Sequence, residues 1–247
     1  MRARRLVAVA SVAVGLVVLS GCRSEPGVAA YVGDHRITED AVTEVIDDAR
    51  AKNPEPTEAA EQVPGQQQVR LPGRSEVVST LVLGQVCERI SAAEGYRPQG
   101  QAEAAQVAQQ LGISPEATYA RQVAELYTCL SGIPVGSPVA PTEQDLTELV
   151  AAGKRAGAVP ADVTVEQAAP QLDGEQLRQA LATRNALSEA VDTYDVTVNP
   201  RYRPLQFPVL SFAGQAVAVG VPLGEPGSDA VTDVSTPRPP QTGPADS

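Results

Sequence analysis

Short apolar runs open the chain's patterned region. Ala29-Ala30-Tyr31-Val32 and His35-Arg36-Ile37 flank Gly33-Asp34, which predicts two short strands joined by a two-residue turn. Thr38 then stands as a helix cap before Glu39 and Asp40, two acids placed favourably against the helix dipole. Ala41, Val42, Val45, Ile46 and Ala49 recur at helical spacing and form one apolar face. From Asn53 to Arg74 that periodicity stops at Pro54, Pro56, Pro64 and Pro72, so the stretch reads as a loop.

A second helix is predicted from a Ser75 cap through Ala93. Its apolar positions, Val77, Val78, Leu81, Val82, Val86, Cys87 and Ile90, cover more than one face, the mark of a central helix with several neighbours. Gly95 suits the position past its end. An Ala/Gln-rich helix over 102–111 ends at Gly112, and Ser114-Pro115-Glu116 predicts the start of a helix over 116–131. That helix carries a stripe of Tyr119, Val123, Leu126, Tyr127 and Leu130, with Cys129 beside it.

After a proline-rich connector, Thr142 and Asp145 form a capping-box pattern for a helix through Ala156. A short element beginning at Thr164-Val165-Glu166 is expected to stop at Pro170. Asp173 with Gln176 predicts a capped helix through Val191, and 195–199 reads as a short strand closed by Pro200. Residues 204–247, with six prolines from Pro222 onward, read as a largely disordered tail. The expected class is mainly α, with a small β-hairpin and a C-terminal strand.

Composition narrows the chemistry. Of the 247 residues 43% are hydrophobic but only 3% aromatic, so the core must be built from Ala, Val and Leu, and a large aromatic-lined cofactor pocket is disfavoured. The net charge is −11, which opposes sequence-independent nucleic-acid binding because that binding needs cations to displace counterions.

The N-terminus sets the compartment. Arg2, Arg4 and Arg5 precede an apolar run, Leu6 to Val18, and the sequence then reads Leu19-Ser20-Gly21-Cys22. Basic, apolar and small residues in that order describe a secretory signal over 1–21, and its end resembles the bacterial lipobox, with cleavage between Gly21 and Cys22. Read as a transmembrane helix instead, the run is short of the roughly 20 residues a span needs. Cys22 is then the lipidation site, and a diacylglyceryl anchor would hold the chain, through a tether over 22–27, on the extracytoplasmic face of the cell membrane. Removing the leader takes Lys plus Arg from 19 to 16 against 30 acidic residues, a mature charge of −14.

Export gives Cys87 and Cys129 two readings: a disulfide in an oxidising compartment, or two buried thiols acting as small hydrophobes. Their wide spacing matches no metal motif. His35, the one histidine, follows the hairpin turn and has no base, nucleophile or carboxylate in sequence relation to it. Gly153-Lys154-Arg155 lacks the spacing of a phosphate loop and fits a helix C-terminus. Asp47-Asp48 fits a solvated helix face. These residues imply no cofactor, no metal and no catalytic residue.

Three stretches carry a resemblance to the N-terminal region of the SurA/PrsA type of extracytoplasmic chaperone-foldases. Ala30-Tyr31-Val32-Gly33-Asp34-His35-Arg36-Ile37-Thr38 is similar to that region's opening, Gly112-Ile113-Ser114 and the helix after it to its later small helices, and Val196-Thr197-Val198-Asn199-Pro200-Arg201-Tyr202 to its closing segment. Arg203 stands where a glycine is common. The resemblance frames residues 28–203 and implies a helical, chaperone-type domain whose partners are unfolded or nascent exported polypeptides. Many such proteins also carry a parvulin-type prolyl isomerase domain with histidines. Here 142–194 reads as helices, so isomerase activity is not expected. A non-catalytic adaptor or structural lipoprotein bound to a folded envelope partner is the alternative.

Overall fold

A computed structural model describes residues 25–53, 70–212 and 216–224. The expected signal segment with Gly21 and Cys22, most of the expected loop and residues beyond 224 lie outside the described residues. Strands β1 (Val28–Val32) and β2 (His35–Thr38) form the expected hairpin, with Val32 opposite His35. Gly33 makes the turn at φ +59°, a left-handed position that a side chain would strain. Thr38 Oγ1 accepts the Ala41 N–H at 3.1 Å and starts α1 (Glu39–Lys52), as the sequence pattern predicts.

β3 (Val196–Val198) pairs antiparallel with the other side of β1, giving the strand order β2-β1-β3. Every residue of β1 is buried, which explains why its sequence is apolar throughout instead of alternating.

α2 (Arg74–Glu94) is the central helix, touching α1, α4, β1 and two elements from the C-terminal part of the chain. Its cap differs from the sequence expectation. Gly73 occupies the cap position and Glu76 Oε2 accepts the Gly73 N–H at 2.7 Å, so Ser75 lies inside the first turn. α3 (Ala104–Leu111) and α4 (Thr118–Leu130) follow. α4 begins later than expected because Ser114 Oγ bonds the Glu116 amide and spends 115–117 in a turn. Cys87 on α2 and Cys129 on α4 are joined as a disulfide with their Cα atoms 6.2 Å apart, so the bridge, not the pair of free thiols, describes them.

α5 (Glu143–Arg155), α6 (Val165–Leu172) and α7 (Glu175–Thr193) make 142–194 helical, as expected. Thr142 and Asp145 form the capping box, and Asp145 also holds Arg184 of α7. Two expectations fail nearby. α6 runs through Pro170, whose exposed position lets water satisfy the carbonyl that the proline leaves unpaired. Gly174, not Asp173, caps α7, because both Asp173 oxygens are engaged by the Arg178 guanidinium at 2.8 and 2.9 Å.

The largest correction concerns the expected tail over 204–247. Its first part is a second hairpin, β4 (Gln206–Ser211) paired antiparallel with β5 (Val217–Pro222). Leu205, Phe207, Val219, Val221 and Leu223 are buried, alternating with exposed Gln206, Pro208 and Pro222. Prolines survive here because a two-stranded sheet has only edge strands, where a missing N–H costs no ladder bond.

The fold is mainly α with two small antiparallel sheets, and this second hairpin ties its two apolar clusters together. Leu205, Phe207, Val221 and Leu223 enter the main core around α2. Val219, with Val209 and Leu210 beside it, joins Leu149, Leu177 and Leu181 in a smaller cluster between α5 and α7.

Candidate functional site

Between the main core and this smaller cluster lies a half-open cleft of about 690 Å³. One wall comes from the α2 N-terminal half and from Tyr119, Val123 and Tyr127 of α4. The opposite wall comes from Ala152, Arg155 and Ala156 at the α5 C-terminus and from 204–208 with Val217 of the second hairpin. The α4 stripe therefore divides: Tyr119, Val123 and Leu126 are buried, whereas Tyr127 is 43% exposed at the cleft. Burial pushes the Tyr119 phenol up to about 12, so it stays neutral. The lining is mixed: Tyr119, Val123, Tyr127, Leu205, Phe207 and Val217 supply apolar and aromatic surface, and Arg70, Glu76, Arg155 and Gln206 supply polar and charged groups. The apolar part suits non-directional contact with an aliphatic or aromatic segment.

Several polar groups at the cleft are committed to the fold. Glu76 accepts from the Gly73 backbone and pairs with Arg70 at 2.8 Å, and Thr80 Oγ1 donates to the Glu76 carbonyl at 2.9 Å. Arg155 belongs to the last turn of α5, where its charge complements the helix dipole, as the reading of Gly153-Lys154-Arg155 anticipates. Gly153 has a packing reason: an added Cβ would meet Val159 Cγ2 at 2.6 Å.

Away from the cleft, the residues of the opening and closing motifs converge. Asn199 Nδ2 donates to the Val28 carbonyl at 2.9 Å, extending the contact between β1 and β3. Arg74 Nη2 reaches Glu39 Oε2 at 2.6 Å, the Tyr202 hydroxyl donates to the same oxygen at 2.7 Å, and Arg201 lies 3.5 Å from Oε1. Burial favours the neutral form of Glu39, but the hydrogen bonds from Arg74 and Tyr202 and the charge of Arg201 outweigh it and hold the carboxyl below its ordinary range. This cluster locks the segments after the first hairpin and after β3 to the start of α2.

Asp48 has a role that its sequence position did not disclose. Its Oδ2 accepts the Thr118 N–H at 2.6 Å, capping α4, whose own cap residue Ala117 has no side-chain acceptor. Lys52 and the Thr118 amide hold the Asp48 carboxyl down at about 2. Asn53 Oδ1 accepts the Ser114 N–H at 2.6 Å and Lys52 donates to the Glu116 carbonyl, so the end of α1 clamps the approach to α4. A local sequence pattern carries no sign of a cap supplied from 70 residues away.

His35 is exposed on β2, apart from the cleft. Cys129 is partly buried and Cys87 fully so. Among the described residues no cluster of three or more His, Cys, Asp or Glu could hold a metal ion, and no helix is long and apolar enough to cross a membrane. Sequence reasoning missed Leu205, Phe207 and Val217 as part of the site. Their signal was the alternation from 205 to 209 and from 217 to 223, masked by the prolines. No protein-family model matches the chain, and comparison with curated proteins and with solved structures found no match.

Proposed function

We propose that this protein is a lipid-anchored extracytoplasmic chaperone of the SurA/PrsA type that holds unfolded exported polypeptides without ATP and without prolyl isomerase activity. The observation that carries the reading is the cleft of about 690 Å³. The apolar and aromatic part of its lining, Tyr119, Val123, Tyr127, Leu205, Phe207 and Val217, offers contact without a fixed hydrogen-bond code, which is what a binder of many different unfolded segments requires. The exposed Tyr127 ring adds a large, stiff contact surface at small entropic cost. The mature charge of −14 adds weak attraction for basic client segments, and that part fades as salt rises while the apolar part does not.

The test is light scattering from a chemically unfolded exported protein diluted into buffer with and without the full chain. Protection is expected at a few-fold molar excess, reduced severalfold by Tyr127→Asp, a change at an exposed position that places a charge in the cleft. A parallel assay of proline isomerisation should stay at the uncatalysed rate. Absence of protection by the wild-type chain would transfer the assignment to an adaptor that binds a folded partner.

A further inference from the structure

A second concavity, of about 290 Å³, opens on the other side of α4, between β2, α2 and α4. We infer that it is a docking groove for an extended polypeptide segment in which basic and apolar side chains alternate, separate from the cleft of the chaperone reading and not dependent on it.

Gly84 is the first indication. It stands in the middle of the 21-residue α2, where glycine is a poor helix former. Elsewhere the close-packed glycines explain themselves: a Cβ at Gly132 would meet the Arg97 carbonyl oxygen at 2.7 Å, and one at Gly224 would meet Val198 at 2.9 Å. At Gly84 a Cβ would meet no described atom within 4 Å, and the residue lines the groove. The protein's own packing does not need the missing side chain. A segment lying in the groove and approaching the α2 backbone does.

The second indication is the wall opposite. β2 is an edge strand, paired only with β1. Three consecutive residues of β2, His35, Arg36 and Ile37, border the groove. Side chains alternate between faces, so three in succession means that the groove runs along the strand's free edge, where main-chain groups can pair with an added strand. Between the walls, Leu81 and Leu126 supply apolar contact.

Charge selects the occupant. Arg36 is already paired with Glu25 at 3.2 Å. Glu88 and Glu125, exposed on α2 and α4 at the groove, have no ion-pair partner among the described residues, and Glu88 accepts a hydrogen bond from the neutral Gln85 amide at 2.8 Å. A groove with two carboxylates that no described cation neutralises takes a segment bearing Lys or Arg.

The experiment measures fluorescence anisotropy of a labelled short peptide of alternating Val and Lys titrated with the full chain. A Val/Glu peptide and a Val/Lys peptide N-methylated at alternate amides serve as comparisons. Saturable binding of the first alone is expected, weakened about tenfold in Glu88→Gln/Glu125→Gln and lost in Gly84→Leu, which fills the groove without touching the core. Equal binding of the Val/Glu peptide, undiminished binding by Gly84→Leu, or no binding by the wild-type chain overturns the inference. The double Gln variant, at exposed positions, carries the test if Gly84→Leu unfolds. Gly84→Leu that loses the peptide yet still suppresses aggregation separates this groove from the cleft.

Discussion

The Tyr202 hydroxyl donates a hydrogen bond to Glu39 Oε2 at 2.7 Å, joining residues 163 positions apart. Glu39 begins α1 directly after the first hairpin, and Tyr202 ends the short helical turn after β3. Arg74 at the start of α2 completes the cluster. One partly buried carboxylate therefore fastens three distant segments.

Tyr202→Phe removes one donor from that carboxylate and should cost about 1 to 2 kcal/mol, the range for a hydrogen bond to a charged group at a partly exposed site. Urea unfolding at neutral pH measures it. Glu39 has a lowered pKa in the folded state, so its contribution is intact above the unfolded value and drains as pH falls through the folded one. Without the Tyr202 donor the folded value rises, and acid unfolding should begin at higher pH than in the wild type.

Asp48→Ala should destabilise by about 1 kcal/mol, the cost of an N-cap, and should raise amide exchange chiefly in the first turn of α4. The same carboxylate predicts a pH dependence. Its folded value of about 2 lies below the ordinary 3.8, so the stabilisation holds above about pH 4 and is lost between there and pH 2. Asp48→Ala should flatten that part of the stability profile. An unchanged profile would show that the cap contributes nothing.

The protein purified without reductant should show no labelling of Cys87 or Cys129 by a thiol reagent after unfolding. Closing a loop with a sequence separation of 42 constrains the unfolded chain by roughly 3 to 4 kcal/mol in the chain-entropy model. Reduction should accordingly lower the urea midpoint, and two reactive thiols in the untreated protein would remove the bridge from the account.

Phe207→Ala is expected to cost about 3 kcal/mol or more, since the ring is 8% exposed and packs into the main core. A residue in a disordered tail would cost nothing, so denaturant unfolding of this one variant decides whether the second hairpin belongs to the domain.

Cys22→Ser should release the chain from membranes or leave an uncleaved precursor. Membrane fractionation with N-terminal mass measurement checks it. Extraction and mass that match the wild type would contradict lipidation at Cys22.

The first hairpin, the Thr38 cap on α1, the capping box of α5 and the helical run through 142–194 were legible from the chain because short-range physics makes them. Turn chemistry, side-chain capping and the period of apolar positions act within a few residues. The reading failed where a competing partner, near or far along the chain, took up a side chain that the local pattern had assigned elsewhere. Arg178 took the Asp173 carboxylate that the cap pattern had assigned to α7, and Asp48 left its solvated face to cap α4.

The candidate site shows the same division. Alternation in 205–209 and 217–223 was present in the sequence, but prolines make breakers of such runs unless both strands are edges. Whether a strand is an edge depends on its neighbours in space. The cleft itself exists because β4 and β5 fold back against α2, α5 and α7, so Tyr127 and Phe207 meet around one cavity only in the folded chain. Sequence alone determined the local elements, from the first hairpin to the capped helices of 142–194. Tertiary structure decided which apolar faces pair to make the core and which are left over to line the cleft, because burial is a property of contacts between segments far apart along the chain.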